Sequence, residues 1–230
     1  MKLNKSIIIG VGAMAIAGIG AYNYQHPQKI KSITSNAPQQ DDFKPADNSK
    51  SFDFYVLSLS WSPTYCMLND GDKSIQCKDK HNFVVHGLWP QYEHGYPREC
   101  PSNVKHLDYK TVQSMLDIMP SERLVNIEWD RHGTCSSLSP DKYFKTVRAA
   151  YNSVKIPNLA NENRFKAGDI ESEFIKINQG LTNSMVAVTT KEGKLNEVRI
   201  CMTQNLEFRT CPEVDKNAAR ENYRLFVPAP

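Results

Sequence analysis

Alternation of apolar and polar positions is clearest at Phe52-Asp53-Phe54-Tyr55-Val56-Leu57-Ser58-Leu59-Ser60-Trp61, where aromatic and branched residues predict a strand that Ser62-Pro63 ends. A second short apolar run, Asn82 to Leu88, predicts another strand and places His86 near its end. Gln91 to Asn103, full of proline, glycine and charge, reads as a loop. The pattern then changes to the helical period: Val112, Met115, Leu116 and Met119 mark a helix over 108–119 that Pro120 closes. Ser121-Glu122-Arg123-Leu124 opens a further helical stretch. Ser139-Pro140-Asp141 combines a cap residue, a first-turn proline and an acid, predicting a helix to about Val154 with Tyr143, Phe144, Val147 and Tyr151 on its apolar face. Asp169 to Gly180 is a further predicted helix. Strands are expected at Ser184–Thr190 and Glu197–Met202, with a third at Leu206–Arg209. Strands at both ends with helices between them specify an α+β domain around a mainly antiparallel central sheet flanked by helices.

The first fifty residues do not share this pattern. A basic start, Met1-Lys2-Leu3-Asn4-Lys5, precedes an uncharged apolar run from Ser6 to Ala21 that ends in small residues. That run is shorter than the ~20 residues of a comfortable bilayer span, so residues 1–21 read as a cleaved export signal rather than an anchor. Residues 22–50, rich in Gln, Asn, Ser, Asp and Pro, read as a disordered leader or tether, and 51–230 as the folded domain. At 230 residues the chain can bury one sizeable core. The formal charge of +3 falls to +1 once Lys2 and Lys5 leave with the signal. A near-neutral domain is not one that coats nucleic acid by phosphate neutralisation, so any cationic character must be local.

All six cysteines, Cys66, Cys77, Cys100, Cys135, Cys201 and Cys211, follow the leader, and an even count in an exported chain reads as disulfides. The short intervals Cys66 to Cys77 and Cys201 to Cys211 suit local closures, which leaves Cys100 with Cys135, although sequence alone does not choose the pairing. No Cys-x-x-Cys pair or compact His/Cys cluster suggests a metal site, and no cofactor is expected.

Two segments carry the chemistry: Phe83-Val84-Val85-His86-Gly87-Leu88-Trp89-Pro90 and Glu128-Trp129-Asp130-Arg131-His132-Gly133-Thr134-Cys135. Histidine suits both proton transfers of a phosphodiester cleavage, because its ordinary pKa of ~6.5 lets one ring be neutral while another is charged. On a helix Glu128, Arg131 and His132 would stand at i, i+3 and i+4 and face one small volume, with the strand-end His86 opposite. Arg131 offers paired donors to phosphate oxygens. Glu128 either holds a proton for a phosphoryl oxygen or orients Arg131 and His132. Taken singly, each of these residues is more often a turn, core or solvated-face residue; their combination is what is informative.

That combination resembles the ribonuclease T2 family, in its bacterial, exported form. The resemblance rests on His86-Gly87-Leu88-Trp89-Pro90, on Glu128-Trp129 through Cys135 beginning 42 positions after His86, and on Trp61-Ser62-Pro63-Thr64-Tyr65-Cys66, and it spans roughly residues 52–211. It implies a ribonuclease T2-like fold and metal-independent endoribonuclease cleavage of single-stranded RNA through 2′,3′-cyclic phosphate ends. It also implies base His86, acid His132, and Glu128 and Arg131 steadying the phosphoryl group. Trp89 matches an aromatic that flanks a base pocket, where indole stacking is apt. Three positions depart from the family pattern. Ile127 stands where a second histidine is common, Arg131 replaces a lysine, and Gln91 stands where an acid often helps read a base. Broad base specificity is therefore the expectation. The partner expected is single-stranded RNA, bound by a periplasmic or extracellular monomer with no stable membrane association. Two rivals exist: a T2 fold that acts by binding alone, which only Ile127 favours, and a metal-dependent phosphodiesterase, for which the ligand cluster is missing.

Overall fold

The computed structural model describes residues 51–104, 106–159 and 163–230. The signal and leader assigned to residues 1–50 lie outside the described residues. Strand β1 (Phe54–Trp61) is the centre of the architecture and is flanked by β2 (Phe83–Gln91) and, through β5 (Lys194–Met202), by the rest of a six-stranded sheet. The strand order is β2-β1-β5-β6-β3, with β3 at Arg164–Lys166, β6 at Arg224–Phe226 and β4 (Val186–Lys191) also pairing with β5. Pairing is antiparallel except at the short β5–β6 junction. The α+β class and the antiparallel sheet expected from the sequence are those observed.

The period-2 pattern of β1 divides the sheet into two chemically different faces. Tyr55, Leu57, Leu59 and Trp61 join Val198, Ile200 and Met202 of β5 in the main core, which helices α4 (Glu122–Arg131), α5 (Pro140–Ser153) and α6 (Ala167–Ile177) supply with Val125, Trp129, Tyr143, Phe144, Val147, Ile170 and Phe174. Phe54 and Val56 lie on the opposite face with Cys201, Cys211 and Trp89. In register on that face, Ser58 stands between Gly87 of β2 and Arg199 of β5, and Ser60 is paired with Glu197.

Several local expectations change. The predicted helix over 108–119 stops early: α3 covers Tyr109–Gln113, capped by the Asp108 side chain, and the chain continues as tight turns. The reason lies at the sheet edge, where the Ile118 carbonyl accepts a hydrogen bond from Val85 N–H at 2.8 Å and so occupies the free edge of β2. Ser62-Pro63 ends β1 but also opens α1 (Ser62–Leu68), since proline is tolerated in a first turn. Helices α2 (Ile75–Lys78) and α7 (Pro212–Lys216) and strands β3 and β6 were not expected, all being too short to show a period. The third strand expected at Leu206–Arg209 is only a bridge between Met202 and Phe208. At α4 Ser121 caps as expected, accepting from Leu124 N–H at 3.3 Å, whereas the Ser139 side chain makes no cap bond at α5.

The disulfides are Cys66–Cys77, Cys100–Cys135 and Cys201–Cys211. The first ties α1 to α2, and the third ties β5 to the start of α7. The second fixes the loop before α3 to the turn that ends α4.

Candidate active site

Strand β2 is irregular where it matters. Ser58 pairs with Gly87 and Leu59 with Val85, so His86 is the extra residue of a β-bulge. A bulge re-aims one side chain while the ladder on either side keeps its register. His86 is thereby turned toward α4, and Trp89, three residues on, follows from the same strand. Gly87 is required here because a Cβ at this position would collide with Glu128 Oε2 and Trp89 Nε1.

Helix α4 supplies the other half. Glu128, in its last turn, is 2% exposed, and its Oε2 accepts from Trp89 Nε1–H at 2.8 Å. The carboxylate lies between the two imidazoles: His86 Nε2 is 3.5 Å from Oε1, and His132 Nε2 is 4.0 Å from Oε2. His132 is the C-terminal cap of α4, with its N–H donating to the Glu128 carbonyl at 3.0 Å. Gly133–Cys135 then form a 3-10 turn, in which a Cβ at Gly133 would strike the Trp129 and Tyr143 rings. Cys135 is bonded to Cys100, and Glu99 N–H donates to the Arg131 carbonyl at 2.9 Å, so the loop carrying Arg98 is held beside the helix end. The ring centroid of Trp89 is 5.2 Å from that of His86 and 5.3 Å from that of His132. His86, Trp89, Glu128 and His132 therefore meet at one point. Arg131 lies at the exposed rim, and its charge reaches Glu128 and His132 through space rather than by contact.

Two further residues complete the cluster. Glu197 on β5 is buried, and its Oε1 sits 2.5 Å from His86 Nδ1. Its Oε2 accepts from Arg199 Nε and Nη2 at 3.0 and 2.8 Å, and the Arg199 guanidinium packs over the Trp89 ring at 5.2 Å. Sequence reasoning missed both. They belong to a strand read only for its apolar positions, although an acid and a base two apart, on the face opposite Val198 and Ile200, were a legible signal.

The electrostatics of the two imidazoles are opposite. Burial disfavours a charge on His86, but the hydrogen bond and charge of Glu197, with help from Glu128, outweigh it and raise its pKa above the ordinary 6.5. Glu197 shows the converse: burial raises it, and the His86 and Arg199 contacts outweigh that, bringing it down to about 2. His132 falls to about 3, first through burial and then through repulsion from His86, Arg98 and Arg131. Its Nδ1 is buried with no hydrogen-bond partner among the described residues. Glu128 rises to about 6, burial prevailing over the attraction of His86 and the Trp89 hydrogen bond. Among the described residues no group of three or more His, Cys, Asp or Glu is arranged to hold a metal, and no helix is long and apolar enough to cross a membrane.

Comparison with known proteins gives this arrangement a family. The model of the ribonuclease T2 family matches residues 52–211, the larger part of the chain. The chain belongs to the ribonuclease T2 family. A ribonuclease of Aeromonas hydrophila is 46% identical over 88 residues, covering 38% of this chain and 40% of the relative. A probable ribonuclease of Haemophilus influenzae is 29% identical over 174 residues, covering 69% of this chain and 61% of the relative. The chain thus spans less than two thirds of the length of these two curated relatives. Among solved structures, an RNase-related protein from Calystegia sepium superposes with a TM-score of 0.61 at 24% identity, over 78% of this chain and 98% of that one. RNase NT in complex with 5′-AMP gives a TM-score of 0.53 at 24% identity, over 71% and 92%. These likenesses establish the ribonuclease T2 fold.

Proposed function

We propose that the chain is an endoribonuclease that cleaves single-stranded RNA by transphosphorylation. His132 takes the proton of the 2′-hydroxyl, and His86 protonates the departing 5′-oxygen. This exchanges the roles that the sequence resemblance implied, base His86 and acid His132. The observation that supports the exchange is the His86–Glu197 contact: one imidazole is backed by a buried carboxylate that favours its charged form, while the other has no such partner among the described residues and burial favours its neutral form.

In the first step the 2′-oxygen gives its proton to His132 Nε2 as it attacks phosphorus. The bond from phosphorus to the 5′-oxygen breaks, and that oxygen receives the Nε2 proton of His86. The products are a 2′,3′-cyclic phosphate and a free 5′-hydroxyl, with His132 charged and His86 neutral. Hydrolysis of the cyclic ester reverses both roles, since the water nucleophile enters where the 5′-oxygen left. Below about pH 6 Glu128 carries a proton and can donate it to a phosphoryl oxygen as charge builds there. Arg131 at the rim meets a second oxygen. Trp89 holds Glu128 in place and stands beside the phosphate, so its contribution to substrate binding begins there rather than at a base. General acid and base each contribute roughly 10²–10⁴ in rate, so the reaction as drawn needs no metal.

The names of the bacterial relatives and the 5′-AMP bound to RNase NT suit an RNA substrate. With Gln91 in place of an acid, we assign broad base specificity. The three disulfides suit an exported protein, which we take to act as a monomer. The test is digestion of a mixed-sequence RNA in excess EDTA, with mass spectrometry of the fragment ends. Cyclic 2′,3′-phosphate ends are expected, spread over all four bases. Activity that returns only with a divalent cation would overturn the mechanism, and a folded protein inert under both conditions would leave a binding role instead.

A further inference from the structure

Beyond the groups that touch substrate, one pair in the cluster has no direct part in the reaction, and its geometry is specific. Glu197 is buried on the sheet face that carries Gly87 and Trp89, across Ser58 and Ser60 of β1 from the bulge. Each of its oxygens has a separate duty: Oε1 meets His86 Nδ1 at 2.5 Å, and Oε2 takes both Nε and Nη2 of Arg199. Arg199 is itself pinned against the Trp89 ring, the same ring whose Nε1–H fixes Glu128. A bulged residue lacks the regular ladder that would otherwise set its direction, so something else must hold the His86 ring.

We propose that Glu197 is the positioning residue that presents His86 as the proton donor, and that Arg199 is the clamp that keeps the Glu197 carboxylate in register for this task. The proposal rests on the reading of His86 as the acid. Two consequences follow from the contacts. With Nδ1 committed to Glu197, only Nε2 can face the cleft, where it lies 3.5 Å from Glu128. A carboxylate behind an imidazole also fixes its tautomer and stabilises its charged form. The groups facing His86 are Glu197 and Arg199 from β5, Glu128 from α4 and His132 from its cap. Of these, Glu197 supplies the main attraction, Glu128 adds to it, and Arg199 opposes it. Without Glu197, burial is the largest remaining influence on the ring and disfavours its charged form.

The experiment is Glu197→Gln in the whole exported domain, read by proton NMR titration of the His86 ring and by the pH profiles of kcat and KM on a dinucleotide substrate. The His86 midpoint should fall by at least about one pH unit, and the alkaline limb of kcat should move down with it. The loss of kcat should be at least about tenfold at pH 7.5 and much smaller at pH 5, with KM within about threefold. Glu197→Asp, which keeps the charge, should recover part of the alkaline limb. Arg199→Met frees the carboxylate but also removes the charge that opposes His86, so the His86 midpoint should stay level or rise while kcat at pH 7.5 falls about threefold, which tests the clamp if Glu197→Gln does not fold. In Glu197→Gln, a uniform loss at every pH with an unmoved His86 titration would overturn the proposal by showing a merely structural role. The NMR titration is independent of turnover: if the wild-type protein fails to cleave RNA, the functional reading falls while the His86–Glu197 coupling is still decided.

Discussion

The two histidines of the site come from opposite kinds of local structure, and their chemistry differs accordingly. His86 is the extra residue of a bulge in a strand, held from behind by a buried carboxylate that is itself clamped by an arginine. His132 caps a helix at the start of a disulfide-bonded turn, with a buried Nδ1 that has no partner among the described residues, and cations at Arg98 and Arg131 raise the cost of its charge. On the proposed reading, the group behind each ring, rather than its position on strand or helix, decides which is acid and which is base.

The largest effect that can break this comparison comes from removing each ring in turn. His86→Ala and His132→Ala should each lose about 10³–10⁴-fold in kcat on an RNA dinucleotide, without loss of fold. They should part company on an aryl ester of a nucleoside 3′-phosphate, whose phenolate departs without a proton. His86→Ala should recover most of its rate there, and His132→Ala none. The reverse pattern would restore His86 as the base.

A smaller effect separates the two halves by stability. Cys100–Cys135 closes a loop of 35 residues and holds the turn that positions His132. Replacing both cysteines with serine should cost about 3 kcal/mol, a fall in Tm of roughly 6–12 °C for a domain of this size. Rate should fall with it even at temperatures where the protein is folded. Cys66–Cys77, which joins α1 to α2 and does not tie down the turn after His132, should show a comparable loss of Tm with kcat intact. Equal rate losses in the two double variants would mean that the disulfide does not hold His132 in particular.

What the sequence makes legible divides along the same line. His86, Trp89, Glu128 and His132 sit in two short contiguous segments, and the structure brings them together. The α+β class and the long strands and helices follow from periodicity. The cysteine intervals point to the disulfide pairing that is observed. Glu197 and Arg199 come from a strand more than a hundred residues from His86, and their contact with the bulge depends on which strands are neighbours. Periodicity cannot supply that order. The proposed proton roles depart from those the resemblance implies for the same reason, since a ring's charge is set by what stands behind it in space.

The smallest predicted effect compares two buried carboxyls. Glu197 and Glu171 are each 4% exposed, yet Glu197 is held low, to about 2, by an imidazolium and a guanidinium, whereas Glu171 is pushed up to about 7. Burial is the main cause for Glu171, with Asp215 and Glu221 adding to it and one amide, Val188 N–H at 3.2 Å, opposing it. The sign follows from proton binding. Below the unfolded value of about 4.5 both states are protonated and nothing is lost. As pH rises from there to about 7 the unfolded chain ionises first, so the folded state loses stability, and above about 7 the loss is complete. The full shift corresponds to about 3 kcal/mol, and relaxation of the protein and water penetration around the charge trim it to about 1–2 kcal/mol. Glu171→Gln keeps the oxygen that accepts from Val188 and cannot ionise. Its Tm should match the wild type at pH 4, exceed it by a few degrees at pH 8, and gain most of that difference between pH 5 and 7. Glu197→Gln should do the opposite and destabilise at neutral pH. If both variants moved Tm in the same direction at pH 8, burial rather than partner charge would govern these carboxyls, and the contrast between the two halves of the site would lose its physical basis.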